Sequence, residues 1–136
     1  MNTLVVFYSF SGHTRAFAQK QAQGEGNDLL ELLPVKPVGK LRAYTAGCFA
    51  TLKGAAWEVQ PLGADLAAYE QIIVCSPIWA GGVPPYVNSL LEMLPAGKTV
   101  RFKLISGSGQ SKCRERLERK LAERGCKLVD IEDIKG

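Results

Sequence analysis

Apolar residues along this chain fall into short runs separated by turn-forming residues. Continuous apolar runs of strand length are typical of strands that are buried on both faces of a sheet. None of the runs approaches the roughly 18 residues that a membrane-spanning helix needs, so no membrane span is expected. The pattern predicts five strands, over residues 4–8, 28–33, 69–76, 99–105 and 127–131.

Segments that favour helix alternate with these strands. Residues 13–22, 84–94 and 111–124 are predicted helices, and residues 40–53 could be helical, although two glycines would interrupt them. Parallel strands need crossover connections, so this alternation predicts a parallel sheet wrapped by helices. Because there is no repeat, linker or low-complexity tract, residues 1–136 are expected to form one α/β domain.

The composition is that of an ordinary globular domain, with 46% apolar and 22% charged residues. It excludes a disordered chain, a collagen-like chain and a disulfide-stapled miniprotein. The formal charge is +4, and the basic excess lies in the last third, where residues 98–136 carry 11 basic and 6 acidic residues. With no recognised module and no stripe of basic and aromatic residues, nucleic-acid binding is not expected.

Much of this charge lies on the predicted helix at residues 111–124. Acidic residues are interleaved four positions away, Glu115 with Arg119 and Arg119 with Glu123, which indicates a solvated, salt-bridged face. The alternative is that the helix docks an acidic partner or a nicotinamide dinucleotide phosphate.

The four cysteines form no CxxC pair, and one histidine cannot complete a zinc finger, so no metal site is expected. The N-terminus has no basic stretch and leads directly into a strand, which argues against a signal peptide. We therefore expect a cytoplasmic protein with reduced thiols.

Residues 9–15 join the first strand to the first helix and form a candidate anion site. The start of a helix offers free backbone N–H groups and the positive end of the helix dipole, and Gly12 would let the chain approach a ligand closely. Ser9, Ser11 and Thr14 would add hydroxyl donors, so a phosphate could bind without a lysine. The alternative is that the loop only supplies a serine N-cap to an ordinary helix. The segment matches neither the Walker pattern nor G-x-G-x-x-G.

The lone histidine, His13, and the nearby Arg15 belong to the first turn of this predicted helix. His13 is either an exposed first-turn residue or a donor to the phosphate, with Arg15 adding positive charge nearby.

Residues 77–87 follow the third strand and form a glycine-rich loop that contains Trp79. An exposed tryptophan would offer a stacking surface to a planar ligand, and the glycines would let backbone N–H groups face the edge of its ring. The alternative is that Trp79 folds down and caps the hydrophobic core.

Together the two loops resemble the flavodoxin-like family, whose members bind FMN. The resemblance rests on Val-Phe-Tyr-Ser-Phe-Ser-Gly-His-Thr-Arg at residues 6–15 and on Ser-Pro-Ile-Trp-Ala-Gly-Gly-Val-Pro-Pro-Tyr-Val at residues 76–87. Residues 106–109 stand where the third flavin loop of that family belongs, and the similarity runs from Met1 to about Ile131. It implies a doubly wound parallel sheet of five strands in the order 2-1-3-4-5.

The resemblance also assigns roles to particular residues, and it assigns no catalytic side chain, because the chemistry would belong to the flavin. The FMN phosphate would be held by Ser9, Ser11, Gly12, His13, Thr14 and Arg15. The isoalloxazine ring would be lined by Pro77, Ile78, Trp79, Ala80, Gly81 and Gly82, and its other side would be closed by Ser106 and Gly107.

The function that the resemblance implies is flavin-mediated electron transfer by a small oxidoreductase. NAD(P)H is the candidate electron donor, and a quinone or another small molecule or protein is the redox partner. Electron carriers of this family are usually acidic and often cover the flavin with an aromatic residue of the third loop. This chain is basic and has no aromatic residue there, which favours a reductase, although Tyr44, Phe49 or Trp57 could cover the site. The alternatives are a non-enzymatic electron carrier and a flavodoxin-fold binding module without flavin.

Members of the family commonly have a fifth helix after the fifth strand, whereas this sequence stops about five residues past that strand. Without such a helix, one face of strands three to five is expected to be bare and apolar. Exposed apolar faces are usually covered by a partner, so the sequence predicts that a second copy of the chain, in a homodimer, or another chain covers this face. A truncated chain is the alternative explanation.

Overall fold

The fold is a five-stranded sheet with helices on both faces. The computed structural model describes residues 2–136; Met1, the first residue of the predicted domain, lies outside them. All pairings are parallel and the strand order is β2-β1-β3-β4-β5, so the predicted doubly wound topology is confirmed. The strands are β1 (Thr3–Phe7), β2 (Asp28–Glu31), β3 (Gln71–Pro77), β4 (Thr99–Ser106) and β5 (Lys127–Lys135).

Five α-helical segments lie between the strands of residues 2–136, and residues 40–53, which the sequence indicated could be helical, are helical. A π-helical turn, Ala43–Gly47, joins two short helices into one continuous segment. The expectation that Gly47 would interrupt this helix is therefore wrong. Gly54 ends the segment with a φ of 71°, a backbone conformation that suits glycine. The helices are α1 (His13–Glu25), α2 (Lys40–Arg42), α3 (Cys48–Lys53), α4 (Pro85–Met93) and α5 (Arg114–Glu123).

The two faces of the sheet bury separate sets of apolar residues. On one face α1 packs over β1 and β3, where Ala18 contributes to a small core with Val5 and Ile73. On the other face the larger core joins the sheet to α4 and α5, with Phe102 of β4 fully buried. The apolar runs of β1 and β3 are continuous because both strands are covered on both sides.

The face of β4 and β5 on the α1 side is polar, and the expectation of a bare apolar face is wrong. Arg101 pairs with Asp130 at 3.1 Å and Lys103 pairs with Glu132 at 2.7 Å across the two strands. The alternation in β4 therefore places buried residues on one side and charged residues on the other, as in a strand with one face open to water. This removes the reason for which a homodimer was predicted.

Strand β5 is longer than predicted, because residues 132–135 continue to pair with β4 as far as Lys135 beside Ser106. Within residues 2–136 no helix follows β5. No helix among these residues is both long and apolar enough to cross a membrane.

The basic residues of α5 face the protein more than the sequence indicated. Arg116 donates to the carbonyl oxygens of Thr51 and Leu52 at 2.7 and 2.8 Å, so its guanidinium caps the C-terminal end of α3. The expected pairs of Arg119 with Glu115 and Glu123 are not among the ion pairs of the described residues, where Arg114 with Glu118 is found instead.

Lys120 of α5 and Arg124, the residue after its end, are used in the same way. Lys120 donates to Gly54 O and to Asn88 Oδ1, both at 3.0 Å, and Arg124 donates twice to Leu94 O. Because these donors satisfy carbonyl groups at the ends of neighbouring segments, they fix α5 against them.

Candidate functional site

A cleft of about 400 Å³ opens at the carboxyl edge of the sheet, within the range of small-molecule sites. The loops that follow β1, β3 and β4 all reach this edge, because parallel strands end on the same side. Nine of the residues predicted from the sequence line it together: Ser11, His13, Thr14, Pro77, Ile78, Trp79, Ala80, Ser106 and Gly107.

The loop after β1 leaves the start of α1 open. The N-cap residue is Gly12, with a φ of 98°, and no side chain caps the helix. The interpretation as a serine N-cap is therefore wrong. The first N–H groups of a helix have no partner within the helix, so an anion at this end of α1 would be met by free donors and by the helix dipole. A Cβ at position 12 would have no atom within 4 Å, which shows that the space before the helix is free.

The hydroxyl groups of this loop have different tasks. Ser9 Oγ accepts from the Gly12 N–H at 2.9 Å and shapes the loop, but Ser9 and Gly12 do not line the cleft. Ser11 Oγ and His13 Nδ1 share a hydrogen bond of 3.2 Å at the rim. Thr14 lines the cleft although its residue is almost entirely buried, and its hydroxyl has no hydrogen bond with another described residue. Thr14 is therefore the side-chain donor that is best placed to meet a ligand.

Arg15 points elsewhere. Its guanidinium forms an ion pair with Glu31 at the end of β2 and is not part of the cleft wall. This pairing neutralises the positive charge that was expected beside a phosphate.

The loop after β3 contains a tight turn with unusual backbone geometry. Trp79 and Gly82 exchange two backbone hydrogen bonds of 2.9 Å, and the two residues between them have φ of 50° and 81°. This is the pattern of a type I′ turn, which usually carries Asn or Gly at both central positions. Ala80 takes the first of them at a cost of about 1 kcal/mol. The turn places Ala80, an exposed residue, at the mouth of the cleft.

Trp79 caps the core instead of standing exposed, which is the second of the two interpretations above. It is 8% exposed and packs edge-on against Tyr8 and Phe10, with ring centroids 5.9 and 5.6 Å apart. Gly47 makes room for it, because a Cβ there would lie 2.7 Å from the indole ring. Trp79 thus locks the loops after β1 and β3 to each other and forms the floor of the cleft.

The loop after β4 closes the opposite wall. Ser106 Oγ accepts from the Gly109 N–H at 3.0 Å, which holds the loop compact, and Gly107 has no atom within 4 Å of a Cβ position. A second cavity of about 540 Å³ shares this wall and is lined by Gly81 and Lys112. Gly82 lies beyond it, buried against the side chain of Thr51.

The helical segment 40–53 provides a fourth wall, of which the sequence indicated only Tyr44 as a candidate. Lys40, Ala43, Tyr44 and Cys48 all line the cleft. Of the three aromatic residues that could cover the site, the structure places only Tyr44 in this wall. Phe49 and Trp57 are not part of it.

The buried thiols are structural. Burial raises the pKa of Cys75 to about 12 and also raises the pKa of Cys113. All four cysteines are free, and Cys48 alone is not fully buried. The described residues contain no group of His, Cys, Asp or Glu that could hold a metal ion.

Comparison with known proteins supports the architecture. No family model and no curated protein matches the sequence. A flavoprotein of Lactobacillus acidophilus in complex with FMN is 19% identical, with a TM-score of 0.79 over 96% of this chain and 91% of that one. The apo form of the flavoprotein from that organism is 21% identical, with a TM-score of 0.70 over 97% and 92% of the two chains. A two-electron reduced flavodoxin of Megasphaera elsdenii is 14% identical, with a TM-score of 0.59 over 97% and 87%. The chain therefore has the flavodoxin-like fold.

Proposed function

We propose that this protein binds FMN in the cleft and transfers electrons through it. The observation that carries the proposal is the uncapped start of α1 at Gly12, which opens into a cleft lined by all three loops at the carboxyl edge of the sheet. A phosphate fits this end because free N–H groups and the helix dipole both favour an anion. The similar structures, one of which contains FMN, support the same choice.

In this proposal different residues of the cleft contact different parts of the cofactor. Thr14, Ser11 and His13 would bind the phosphate together with the backbone of the first turn of α1. Ile78, Ala80 and the loop of Ser106 and Gly107 would line the ring system. FMN bound there would supply reversible uptake of one or two electrons.

Tyr44 would cover the outer face of the ring. Its side chain is 78% exposed although it lines the cleft, and exposed aromatic rings gain by stacking on a planar ligand. This would replace the aromatic residue that the loop at residues 106–109 lacks.

For the electron donor and acceptor, we propose that the protein is an NAD(P)H-dependent oxidoreductase that reduces a quinone or a similar acceptor. The second cavity supports it, since it adjoins the cleft across Ile78 and Ala80 and has room for a second small molecule. Lys112 at its wall forms no ion pair among the described residues and would favour an anionic donor.

Titration with FMN and with riboflavin tests cofactor binding. We expect FMN fluorescence to be quenched on binding and riboflavin, which lacks the phosphate, to bind at least about 100-fold more weakly, because several charge-assisted hydrogen bonds are lost. Thr14→Val should weaken FMN binding by about tenfold and leave riboflavin binding unchanged. Thr99→Val, at the opposite edge of the sheet, should change the affinity for neither flavin. A protein that quenches neither flavin would refute the proposal and leave the flavin-free binding module.

Steady-state turnover separates the enzyme from the carrier. The FMN-loaded protein should oxidise NADPH or NADH in the presence of a water-soluble quinone without any added reductase. Bound FMN without turnover would leave the non-enzymatic electron carrier, the main alternative.

The predicted homodimer and cytoplasmic location remain predictions. Light scattering at micromolar concentration decides between monomer and dimer, and the polar face of β4 and β5 no longer supports the dimer.

A further inference from the structure

The helical segment 40–53 carries an unusual set of exposed apolar side chains. Leu41 and Tyr44 are 79% and 78% exposed, and Phe49 and Leu52 are each 60% exposed. They follow one another at helical spacing, while Ala43, Gly47, Ala50 and Thr51 on the opposite side are buried against the protein. These four are the most exposed of the large apolar residues in the part of the chain that the structure describes, and exposed apolar clusters of this kind mark interaction sites.

The same region is strongly basic. Residues 32–57 contain four basic residues and no acidic residue. None of these cations forms an ion pair among the described residues, in contrast to Arg15 and Arg101. Lys53 Nζ lies 4.5 Å from the centre of the Phe49 ring, and Arg42 lies near Tyr86. The free cations are Lys36, Lys40, Arg42 and Lys53.

This surface is continuous with the cleft. Lys40, Tyr44 and Cys48 belong to the cleft wall, and Leu41, Arg42, Phe49, Leu52 and Lys53 lie beside them on the same segment. We name these five residues the 41–53 surface. A protein docked there would lie next to the mouth of the cofactor site.

We propose that the 41–53 surface docks an acidic one-electron carrier protein, such as an iron–sulfur protein of the ferredoxin type. An apolar centre with a charged rim is the usual anatomy of a specific interface, and complementary charge steers the encounter. The inference rests on the proposed function. In each encounter the reduced iron–sulfur centre would give up one electron, so two encounters and two protons from solvent would complete a two-electron reduction of the bound flavin.

The charge distribution favours this occupant over a second copy of the chain. A two-fold dimer through this surface would place its cations near the same cations of the partner, with no acidic residue of segment 32–57 to compensate. An acidic protein would instead pair with each of them. A membrane surface with anionic lipids is the other basic-surface ligand, but it offers no electrons to a neighbouring cleft.

Stopped-flow mixing of the FMN-loaded protein with a reduced, acidic plant-type [2Fe–2S] ferredoxin tests the proposal. The second-order rate constant should fall about tenfold or more between 25 and 500 mM NaCl, because salt screens the steering charges. Arg42→Glu with Lys53→Glu should slow the reaction at low salt by about tenfold or more. Leu41→Ser with Phe49→Ser should slow it by about fivefold and leave FMN affinity unchanged.

Matched substitutions elsewhere on the molecule provide the controls. Lys127→Glu removes an equally unpaired cation at the start of β5, on the edge of the sheet opposite the cleft, and Val129→Ser removes a 39% exposed apolar residue from the same strand. Both should leave the rate within about twofold of the unsubstituted protein. Rates that are insensitive to salt and to all substitutions, or equally sensitive to the controls, would overturn the proposal.

Sedimentation of the FMN-free protein with oxidised ferredoxin at 25 mM NaCl separates this inference from the proposed function. A complex that the Arg42→Glu and Lys53→Glu substitutions abolish would support docking even if FMN did not bind. A dimer of the chain alone that Leu41→Ser with Phe49→Ser dissociates would assign the surface to a second copy and overturn the proposal. Binding to phosphatidylserine vesicles that the same variant abolishes would overturn it as well.

Discussion

Two basic regions of this protein use their charge in opposite ways. Helix α5 has four basic residues among its ten, yet Arg116 and Lys120, like Arg124 just past its end, donate to carbonyl groups of neighbouring segments. Segment 32–57 also has four cations, and none of them is paired with an acidic residue among those described. The availability of a charge for a partner therefore depends on whether backbone acceptors lie within its reach, and the number of basic residues in a segment does not reveal this.

The largest effect is expected where a cation of α5 is removed. Arg116→Ala should lower the free energy of unfolding by about 2–3 kcal/mol, because two carbonyl groups at the end of α3 lose charge-assisted bonds. Arg119→Ala, an exposed residue without such partners, should stay within about 0.5 kcal/mol. Urea unfolding of the two variants measures the difference. Equal effects would show that the capping of α3 contributes nothing.

Gly47→Ala should come next, at about 2 kcal/mol, because the new methyl group would press on the Trp79 ring that lies 2.7 Å away. Gly24→Ala is the matched control, since its Cβ has free space within α1 and alanine favours helix. It should be neutral or slightly stabilising. The same unfolding curves, together with a shift of the tryptophan emission for Gly47→Ala only, check the packing of segment 40–53 on the cleft floor.

The pH dependence of stability should distinguish Lys120 from an exposed cation. Burial is the main cause that lowers the pKa of Lys120. The unfolded state then binds more protons than the folded state between the lowered pKa and the ordinary value near 10.5, so stability gains from Lys120 as the pH rises through that window.

Comparison with Lys120→Met isolates this contribution. The advantage of the unsubstituted protein over Lys120→Met should grow from pH 7 to pH 10, as measured by urea unfolding at each pH. The difference from Arg119→Met should stay constant, because a guanidinium remains charged throughout. A Lys120→Met difference that shrinks with pH would contradict the assigned burial of the ammonium group.

The smallest effect on stability is expected from the free cations. Arg42→Gln and Lys53→Gln should each change the free energy of unfolding by less than about 0.5 kcal/mol, since neither side chain satisfies a buried group. Denaturant unfolding at low and high salt measures this. A loss above 1 kcal/mol in either variant would place that cation with those of α5 and end the contrast between the two regions.

The sheet was predictable in nearly every respect because its signals are local. The apolar runs predict β1 and β3, and the glycine after α1 predicts where that helix ends. Each signal concerns only residues a few positions away. The alternation of Arg101 and Lys103 with buried residues already indicated that one face of β4 is polar. The prediction of a bare apolar face did not take this alternation into account. The extension of β5 was not predictable, because its last residues pair only where β4 provides backbone partners.

The candidate site was predictable for the loops and not for the wall opposite them. The loops after β1, β3 and β4 carry glycine and small polar residues, and a parallel sheet brings them to one edge. Tyr44 was only one of three aromatic candidates and Lys40 was not predicted, because nothing in the helical pattern of segment 40–53 states which side faces the cleft. The fate of Trp79 depended on Gly47, a residue 32 positions earlier in the chain that leaves room for the indole ring.

The sequence by itself determined the strands, their parallel arrangement and the three loops at the carboxyl edge, because apolar runs and the need for crossover connections settle these features. The strand order was implied only by the resemblance to the flavodoxin-like family. Only the tertiary structure decided which charges are paired and which aromatic residues are exposed. Both depend on contacts between residues far apart in the chain, where a carbonyl group, a neighbouring strand or the absence of a side chain selects one position among several that the local pattern allows.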